Sequence, residues 1–185
     1  MNDEFSYTLR IPKDRVGVLI GKSGKVKRDI EHATGTRMGI DSKEGEVAIV
    51  ADDGLRLYEA REVIRAIGRG FNPGIALQLL KMDATLEIID VTAVTGKSKN
   101  ALQRLKGRVI GAEGKAKREI ERLTGCSISV YGKTIALIGE VTDVTAARLA
   151  VENLLQGATH ATVYRLLEKR RRERKFERMV GKNDA

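Results

Sequence analysis

Ile20-Gly21-Lys22-Ser23-Gly24-Lys25-Val26-Lys27-Arg28 recurs ninety residues later as Ile110-Gly111-Ala112-Glu113-Gly114-Lys115-Ala116-Lys117-Arg118. Each copy sets a Gly-x-x-Gly turn directly before a basic, helix-forming stretch. Each stretch ends on the same dipeptide, Thr34-Gly35 and Thr124-Gly125. A helix start offers unpaired N–H groups and the positive end of the helix dipole. Glycines with no Cβ let an anion come close to that backbone. Lys22, Lys25, Lys27 and Arg28 add charge at the first turn; Lys115, Lys117 and Arg118 do so at the second, with Arg104, Lys106 and Arg108 just before it. The chemistry is anion binding at two sites, and the anion it suits best is a nucleic-acid backbone. Each phosphate neutralised should steepen the salt dependence of binding by about one unit of slope, somewhat less for single strands. One Gly-x-x-Gly alone is an ordinary helix–helix turn; the duplication, in matching context, argues for a site. The copies differ at the tip. Ala112-Glu113 carries no positive charge, and a carboxylate beside a phosphate is unfavourable. Lys22-Ser23 makes the better generic clamp.

The whole chain fits this chemistry. Its 185 residues hold 34 Lys and Arg against 25 Asp and Glu, a formal net charge of +9, which favours a polyanionic partner. Hydrophobic residues make up 42%, enough for folded cores. Aromatics are only 4%, with no Trp, so stacking on rings is not the main recognition device. The length suits two small domains. A single cysteine, Cys126, forms no intrachain disulfide and fits a reducing compartment. The acidic start Met1-Asn2-Asp3-Glu4 is unlike a secretory signal, and no stretch approaches the ~18 apolar residues of a membrane span. A cytoplasmic protein is expected.

Catalytic alternatives find little support. Gly21-Lys22-Ser23 and Gly96-Lys97-Ser98 resemble the end of an NTPase phosphate loop, but the glycine required five residues earlier is Val16 in one and Val91 in the other. His32 is expected on a solvated helix face and His160 in a connection. Two scattered histidines and one cysteine make no zinc site. No catalytic residue, cofactor or metal is expected.

The elements that must hold the turns are legible in the periodicity. Phe5, Tyr7, Leu9 and Ile11 alternate with polar residues, which predicts a strand with one buried face, stopped by Pro12. Val16, Leu19 and Ile20 mark a short helix before the turn. After it, Val26, Ile30 and Ala33 give an inward stripe, and Gly35 suits a left-handed cap. Thr36 to Asp41 and Glu46 to Ala51 read as strands. Asp52 or Asp53 caps a helix whose stripe is Leu57, Ala60, Ile64 and Ile67. Gly68 to Gly74 is the natural boundary, followed by a short helix within Ile75 to Met82. The order then repeats: a strand from Ala84 to Val91; a helix capped by Ser98 with Leu102, Leu105 and Val109 inward; the turn; a stripe of Ala116, Ile120 and Leu123; strands with Cys126, Ile128 and Val130 and from Thr134 to Ile138; and a helix lined by Val144, Ala147, Val151 and Leu154. This is an α+β design, each three-stranded sheet carrying helices on one face. Beyond it, Arg165, Lys169, Arg170, Arg171, Arg172, Arg174, Lys175 and Arg178 form a basic helix. Val163, Leu166 and Leu167 can dock its start, and the remainder is expected to project or to need a partner.

Val18-Leu19-Ile20-Gly21-Lys22-Ser23-Gly24 and Arg108-Val109-Ile110-Gly111-Ala112-Glu113-Gly114 resemble the Ile-Gly-x-x-Gly core of type I KH domains. The resemblance implies modules that clamp about four single-stranded nucleotides, the loop holding backbone and a shallow apolar groove holding bases. Carried over, the groove walls are Ile20, Val26 and Ile30 with Met38 or Ile40, and Ile110, Ala116 and Ile120 with Ile128; the same periodicity suits a core equally well. With the linker Gly68-Arg69-Gly70-Phe71, the segment Ala76-Leu77-Gln78-Leu79-Leu80 and the basic tail, essentially the whole chain is similar to the archaeal partner-of-Nob (Dim-type) pre-ribosomal RNA processing factors, with the Krr-type assembly factors as kin. That implies residues 1–70 as a first KH module, 71–83 as linker with a short helix, 84–157 as a second KH module and 158–185 as a basic helix and tail. It further implies binding at the 3′ end of small-subunit ribosomal RNA, cooperation with the Nob-type endonuclease, and association with the alpha subunit of initiation factor two.

The resulting expectation is a non-catalytic single-stranded RNA-binding protein serving small-subunit assembly. Its RNA-binding residues are Ile20, Gly21, Lys22, Ser23, Gly24, Lys25, Lys27 and Arg28 in the first module, and Arg108, Ile110, Gly111, Ala112, Glu113, Gly114, Lys115, Lys117 and Arg118 in the second. Two alternatives use the same surfaces differently: a protein-interaction adaptor, docking an initiation factor or a nuclease through the tail, and a single-stranded DNA binder.

Overall fold

The structure, a computed structural model, describes residues 4–180; the readings made on Met1 to Asp3 and on the last residues of the tail lie outside them. Two units are present, divided between Leu86 and Glu87, within the strand that opens the second repeat. In the first, β1 (Phe5–Arg10) leads to α1 (Lys13–Ile20), a tight 3-10 turn (Lys22–Gly24), α2 (Lys25–Thr34), β2 (Arg37–Asp41), β3 (Glu46–Ala51) and α3 (Gly54–Gly68), with a short α4 (Pro73–Ala76) and a 3-10 turn (Leu77–Leu80) closing it. The second repeats the plan: β4 (Ala84–Asp90), α5 (Thr92–Thr95), α6 (Lys99–Ile110), a 3-10 turn (Ala112–Gly114), α7 (Lys115–Thr124), β5 (Ser127–Tyr131), β6 (Thr134–Glu140), α8 (Val141–Leu155) and α9 (His160–Val180).

Local chemistry sets these boundaries. The Asp53 carboxylate accepts the Leu55 N–H at 2.7 Å and starts α3; the Ser98 hydroxyl accepts the Ala101 N–H at 3.2 Å and starts α6. Both helices after the turns stop at a left-handed glycine, Gly35 at φ 64° and Gly125 at φ 80°. The single turn of α5 is an element the periodicity did not predict.

Each sheet places its last strand in the middle, in the orders β1-β3-β2 and β4-β6-β5. In the first, Tyr7 and Met38 flank Ile49, and Leu9 and Ile40 flank Val47; in the second, Ile128 lies against Leu137. Helices cover one face of each sheet. Leu19, Ile30, Val47, Ile49, Ile64 and Ile67 are sealed in the first core, and Val109, Ile120, Ile135, Leu137, Val151 and Leu154 in the second. Burying each such side chain is worth roughly 1.5–3 kcal/mol.

Four expectations need correction. The strand β1 forms as predicted, but its apolar face is half open: Phe5 is 47% and Tyr7 42% exposed, because β1 lies at the sheet edge. Ala33 is exposed while Thr34 is buried, its hydroxyl donating to Ile30 O at 2.7 Å. Leu123, ninety positions on, is buried, because in the second unit α9 packs along α7 and covers that side. His160 does not sit in a connection but opens α9. Finally, α9 does not project from its start. Val163 and Leu167 are buried as expected and Leu166 is 52% exposed. Further along, Arg170 donates to Thr142 O, and Arg174 pairs with Asp143 and, at 3.8 Å, with Glu140. Polar and salt links with the start of α8 thus hold the middle of α9, while Phe176 and Met179 further along stay exposed. The segment after α3 is also packed: Phe71 and Ala76 are buried in the first unit.

Candidate nucleic-acid interface

The two turns are built alike to within a few degrees. Gly21 and Gly111 leave their preceding helices at φ 70° and 73°, and Gly24 and Gly114 enter the following ones at φ 73° and 76°. Between them Ser23 and Glu113 sit at φ 53° and 50°, and they are the non-glycine residues with positive φ among the described residues. A side chain in that region costs of order 1 kcal/mol or more, so both loops hold local strain. The first glycine is dictated by space as well as by φ. A Cβ on Gly21 would stand 2.9 Å from Val26 N, and one on Gly111 would stand 2.7 Å from Ala116 N. The second glycine faces a cation: a Cβ on Gly24 would lie 3.2 Å from Arg28 Nη1, and one on Gly114 would lie 3.1 Å from Arg118 Nη1. Arg28 and Arg118 therefore fold back over the loop from one turn into the helix. Lys22, Ser23, Lys25 and Arg28 are exposed at the first loop, as are Ala112, Glu113, Lys115 and Arg118 at the second.

Not all predicted cations join this group. Lys27 pairs with Glu31 at 3.7 Å and Lys117 with Glu121 at 3.2 Å, one turn along the same helices. The same two glutamates accept the amide of the second residue of β2 and of β5, Met38 N–H at 2.7 Å and Ile128 N–H at 2.8 Å. Each Lys–Glu–strand linkage ties the basic helix to its sheet edge, leaving both lysines half-buried at the rim of the helix–strand groove. Arg108 faces elsewhere. Its guanidinium donates to Leu154 O at 3.0 Å and Ala158 O at 2.6 Å, while His160 Nε2 lies 2.7 Å from Arg108 O. Arg108 thus clasps α6 to the junction of α8 and α9, away from the loop tip. Lys106 Nζ donates to Gly132 O at 2.8 Å, and Arg104 remains exposed.

The proposed groove walls separate into two sets. Ile30, Met38, Ala116, Ile120 and Ile128 are buried, so they belong to the cores that back the groove. Ile20, Val26, Ile40 and Ile110 are half-buried and present apolar surface beside the loops. In the second unit a cavity of about 510 Å³ runs along α6 to Ile110, walled by Leu102, Gln103, Gly107 and the stems of Lys99 and Lys106. Leu102, expected inward, lines it while packing on the core. Its i, i+8 spacing to Ile110, with Lys106 between them at i+4, is the signal that marks this face in the sequence.

These features, a strained Gly-x-x-Gly turn between two helices on a three-stranded antiparallel sheet, define the KH module. The profile described as "Eukaryotic type KH-domain (KH-domain type I)" matches residues 85–172, and the profile "KH domain" matches residues 6–66. The KH domain-containing protein MJ0443 of Methanocaldococcus jannaschii is 50% identical over 190 residues, spanning 99% of this chain and 83% of that protein. Among solved structures, Dim2p from Pyrococcus horikoshii superposes with a TM-score of 0.84 at 44% identity, covering 89% of this chain and 99% of that one. A chain of the a/eIF2alpha–aDim2p–rRNA complex from the same organism reaches 0.87 at 43% identity, covering 92% and 96%. The chain belongs to the KH-domain family, within it to the archaeal Dim2p type, and is an RNA-binding protein with two KH domains.

Proposed function

We propose that the protein binds single-stranded RNA through both Gly-x-x-Gly loops, at the 3′ end of small-subunit ribosomal RNA, as a non-catalytic ribosome-assembly factor of the cytoplasm. The observation that carries this reading is the duplicated geometry. Each loop holds one strained non-glycine residue at its tip, and an arginine from the next helical turn, Arg28 or Arg118, lies over its second glycine. Backbone amides at a helix start together with a guanidinium make a phosphate cradle. In the first module Gly21 to Gly24, Lys25 and Arg28 hold the backbone; in the second, Gly111 to Gly114, Lys115 and Arg118 do so. Ile20 and Ile110 offer apolar surface to the bases, and Lys27 and Lys117 line the groove rim through their carboxylate partners. Residues 1–70 and 84–157 are taken as the two modules, with 71–83 between them and the basic helix after them.

Support for the RNA comes from the relative found in a complex described as holding a/eIF2alpha, aDim2p and rRNA. By the same likeness the alpha subunit of initiation factor two is a partner; cleavage of the RNA is assigned to a separate Nob-type endonuclease on the resemblance of the sequence alone.

The test uses two charge-reversal pairs in the full chain, K22D with S23D and A112D with K115D. Binding of a 3′-end small-subunit RNA is followed by fluorescence anisotropy across a salt series. Each pair should weaken binding on the order of tenfold or more and lower the salt slope. If neither changes affinity, the loops are not the clamps.

A further inference from the structure

The later turns of α9 do more than cover α7. They wall a cleft of about 1100 Å³ against the C-terminal end of α7 and the start of α8, and a smaller hollow of about 360 Å³ adjoins it. Arg122, Leu123, Arg171 and Lys175 line both. Arg170 and Arg174 border the larger space and Arg172 the smaller.

Carboxylates account for only some of these cations. Arg174 is held by Asp143 and Glu140, and Arg122 by Glu119 at 2.6 Å; Glu168 stands on the wall of the smaller hollow. Among the described residues Arg171, Arg172 and Lys175 enter no ion pair, and all three are exposed. Packing of α9 on α7 gathers these like charges into one concave surface, which raises the local positive potential. Such a surface is complemented by a polyanion.

The cleft is also connected to the second loop. Lys115, Arg118 and Arg122 occupy positions i, i+3 and i+7 of α7, the outward ridge of that helix. From Lys115 to Arg122 the ridge runs about 10 Å at 1.5 Å per residue.

We infer that the α7–α9 cleft is a second backbone site, in which a single-stranded RNA held at the second loop continues over the ridge of α7 and sets further phosphates beside Arg171, Arg172 and Lys175. The inference rests on the second loop being an RNA clamp. RNA is favoured over an acidic protein because the cleft's cations continue the row of Lys115, Arg118 and Arg122 that begins at the second loop, the arrangement a backbone of regularly spaced phosphates fits. Guanidinium forks on successive positions suit phosphate oxygens. Among the described residues the first unit has no helix corresponding to α9, so the extension belongs to the second module.

The experiment compares the full chain with the triple variant R171Q, R172Q, K175Q on two RNAs that share one bound sequence. One is about five nucleotides long, enough for the loop and groove, and the other about fourteen. On the long RNA the triple variant should raise Kd about tenfold and reduce the salt slope by about two units; on the short RNA it should change neither. Equal affinity and slope on the long RNA overturn the inference, as does an equal loss on both lengths. If the wild-type chain binds polyglutamate, and the triple variant loses that binding while keeping the long RNA, the cleft docks protein and the inference falls. The pair A112D and K115D separates the two readings. If it weakens the short RNA, the loop stands whatever the triple variant does; if it changes neither RNA, the clamp and this extension fail together.

Discussion

Glu121 accepts the backbone N–H of Ile128 at 2.8 Å, as Glu31 accepts that of Met38 at 2.7 Å. The helix that follows each Gly-x-x-Gly loop is thereby tied, at its last turn, to an edge strand of its sheet. Losing the acceptor leaves a half-buried amide without its partner, a cost of about 1–3 kcal/mol. E121L should lose about that much in urea unfolding, and E121Q, which keeps an acceptor, should lose less. A loss no larger in E121L than in E121Q would mean that the contact carries no stability.

Gly111 is constrained both by a positive φ and by the nearness of Ala116 N, whereas Glu113 is constrained by φ alone. G111A should therefore destabilise the second module by about 2 kcal/mol or more, through strain and backbone displacement. E113G should leave the melting temperature unchanged or raise it, because glycine takes that φ freely. Thermal unfolding of the two variants reads the contrast directly.

Two arginines ten positions apart should separate stability from RNA binding. Arg108 bonds the carbonyls of Leu154 and Ala158, so R108M should cost about 1–3 kcal/mol and leave the salt slope of binding intact. Arg118 lies over the loop and is exposed, so R118M should leave stability within about 0.5 kcal/mol of wild type. It should also lower the slope by about 0.7. Urea titration and salt-dependent anisotropy on the same samples decide it.

Burial pushes the Cys126 thiol up to about 11 from an ordinary 9.0, with the Thr124 contact opposing it. A thiol whose folded value is raised holds its proton more tightly when folded. Its contribution to stability is complete below pH 9 and is lost as pH rises from about 9 to about 11. The wild-type melting temperature should fall more across that window than that of C126A. Reaction with a thiol reagent at pH 8 should be slow in the native protein and fast in urea.

Ala33 and Leu123 hold equivalent places in the two repeats but lie in different surroundings. L123A should cost about 2–4 kcal/mol by leaving a cavity under α9. A33K should stay within about 0.5 kcal/mol of wild type, as expected at an exposed position. Unfolding of the full chain in denaturant compares the two.

Much of this architecture was legible because it depends on short-range rules. Alternation marks β1 and β5, a cap residue marks the starts of α3 and α6, and Thr-Gly marks the ends of α2 and α7. The apolar stripe of α7 is buried throughout, whereas in α2 Ile30 is buried and Ala33 is not, although the two sequences are nearly parallel. The difference lies in α9, more than thirty residues further on, which is present over one helix and absent over the other. The edge position of β1 was equally invisible, since alternation reports which face a side chain takes and not whether a neighbouring strand exists to cover it.

The chain's own sequence determined the loops: glycine at the two positive-φ ends of each, a helix start beyond, and basic residues on the first turn. Those features are local and follow from backbone sterics and the helix dipole. Tertiary structure alone decided how the charges are used. Lys27 and Lys117 are drawn to glutamates that anchor a strand, Arg108 is drawn to carbonyls at the end of α8, and Arg28 and Arg118 remain over the loops. Composition counts all of these as the same positive charge. Which of them is left for a phosphate depends on the acceptors that packing brings within about 3 Å, and those lie up to fifty residues away along the chain.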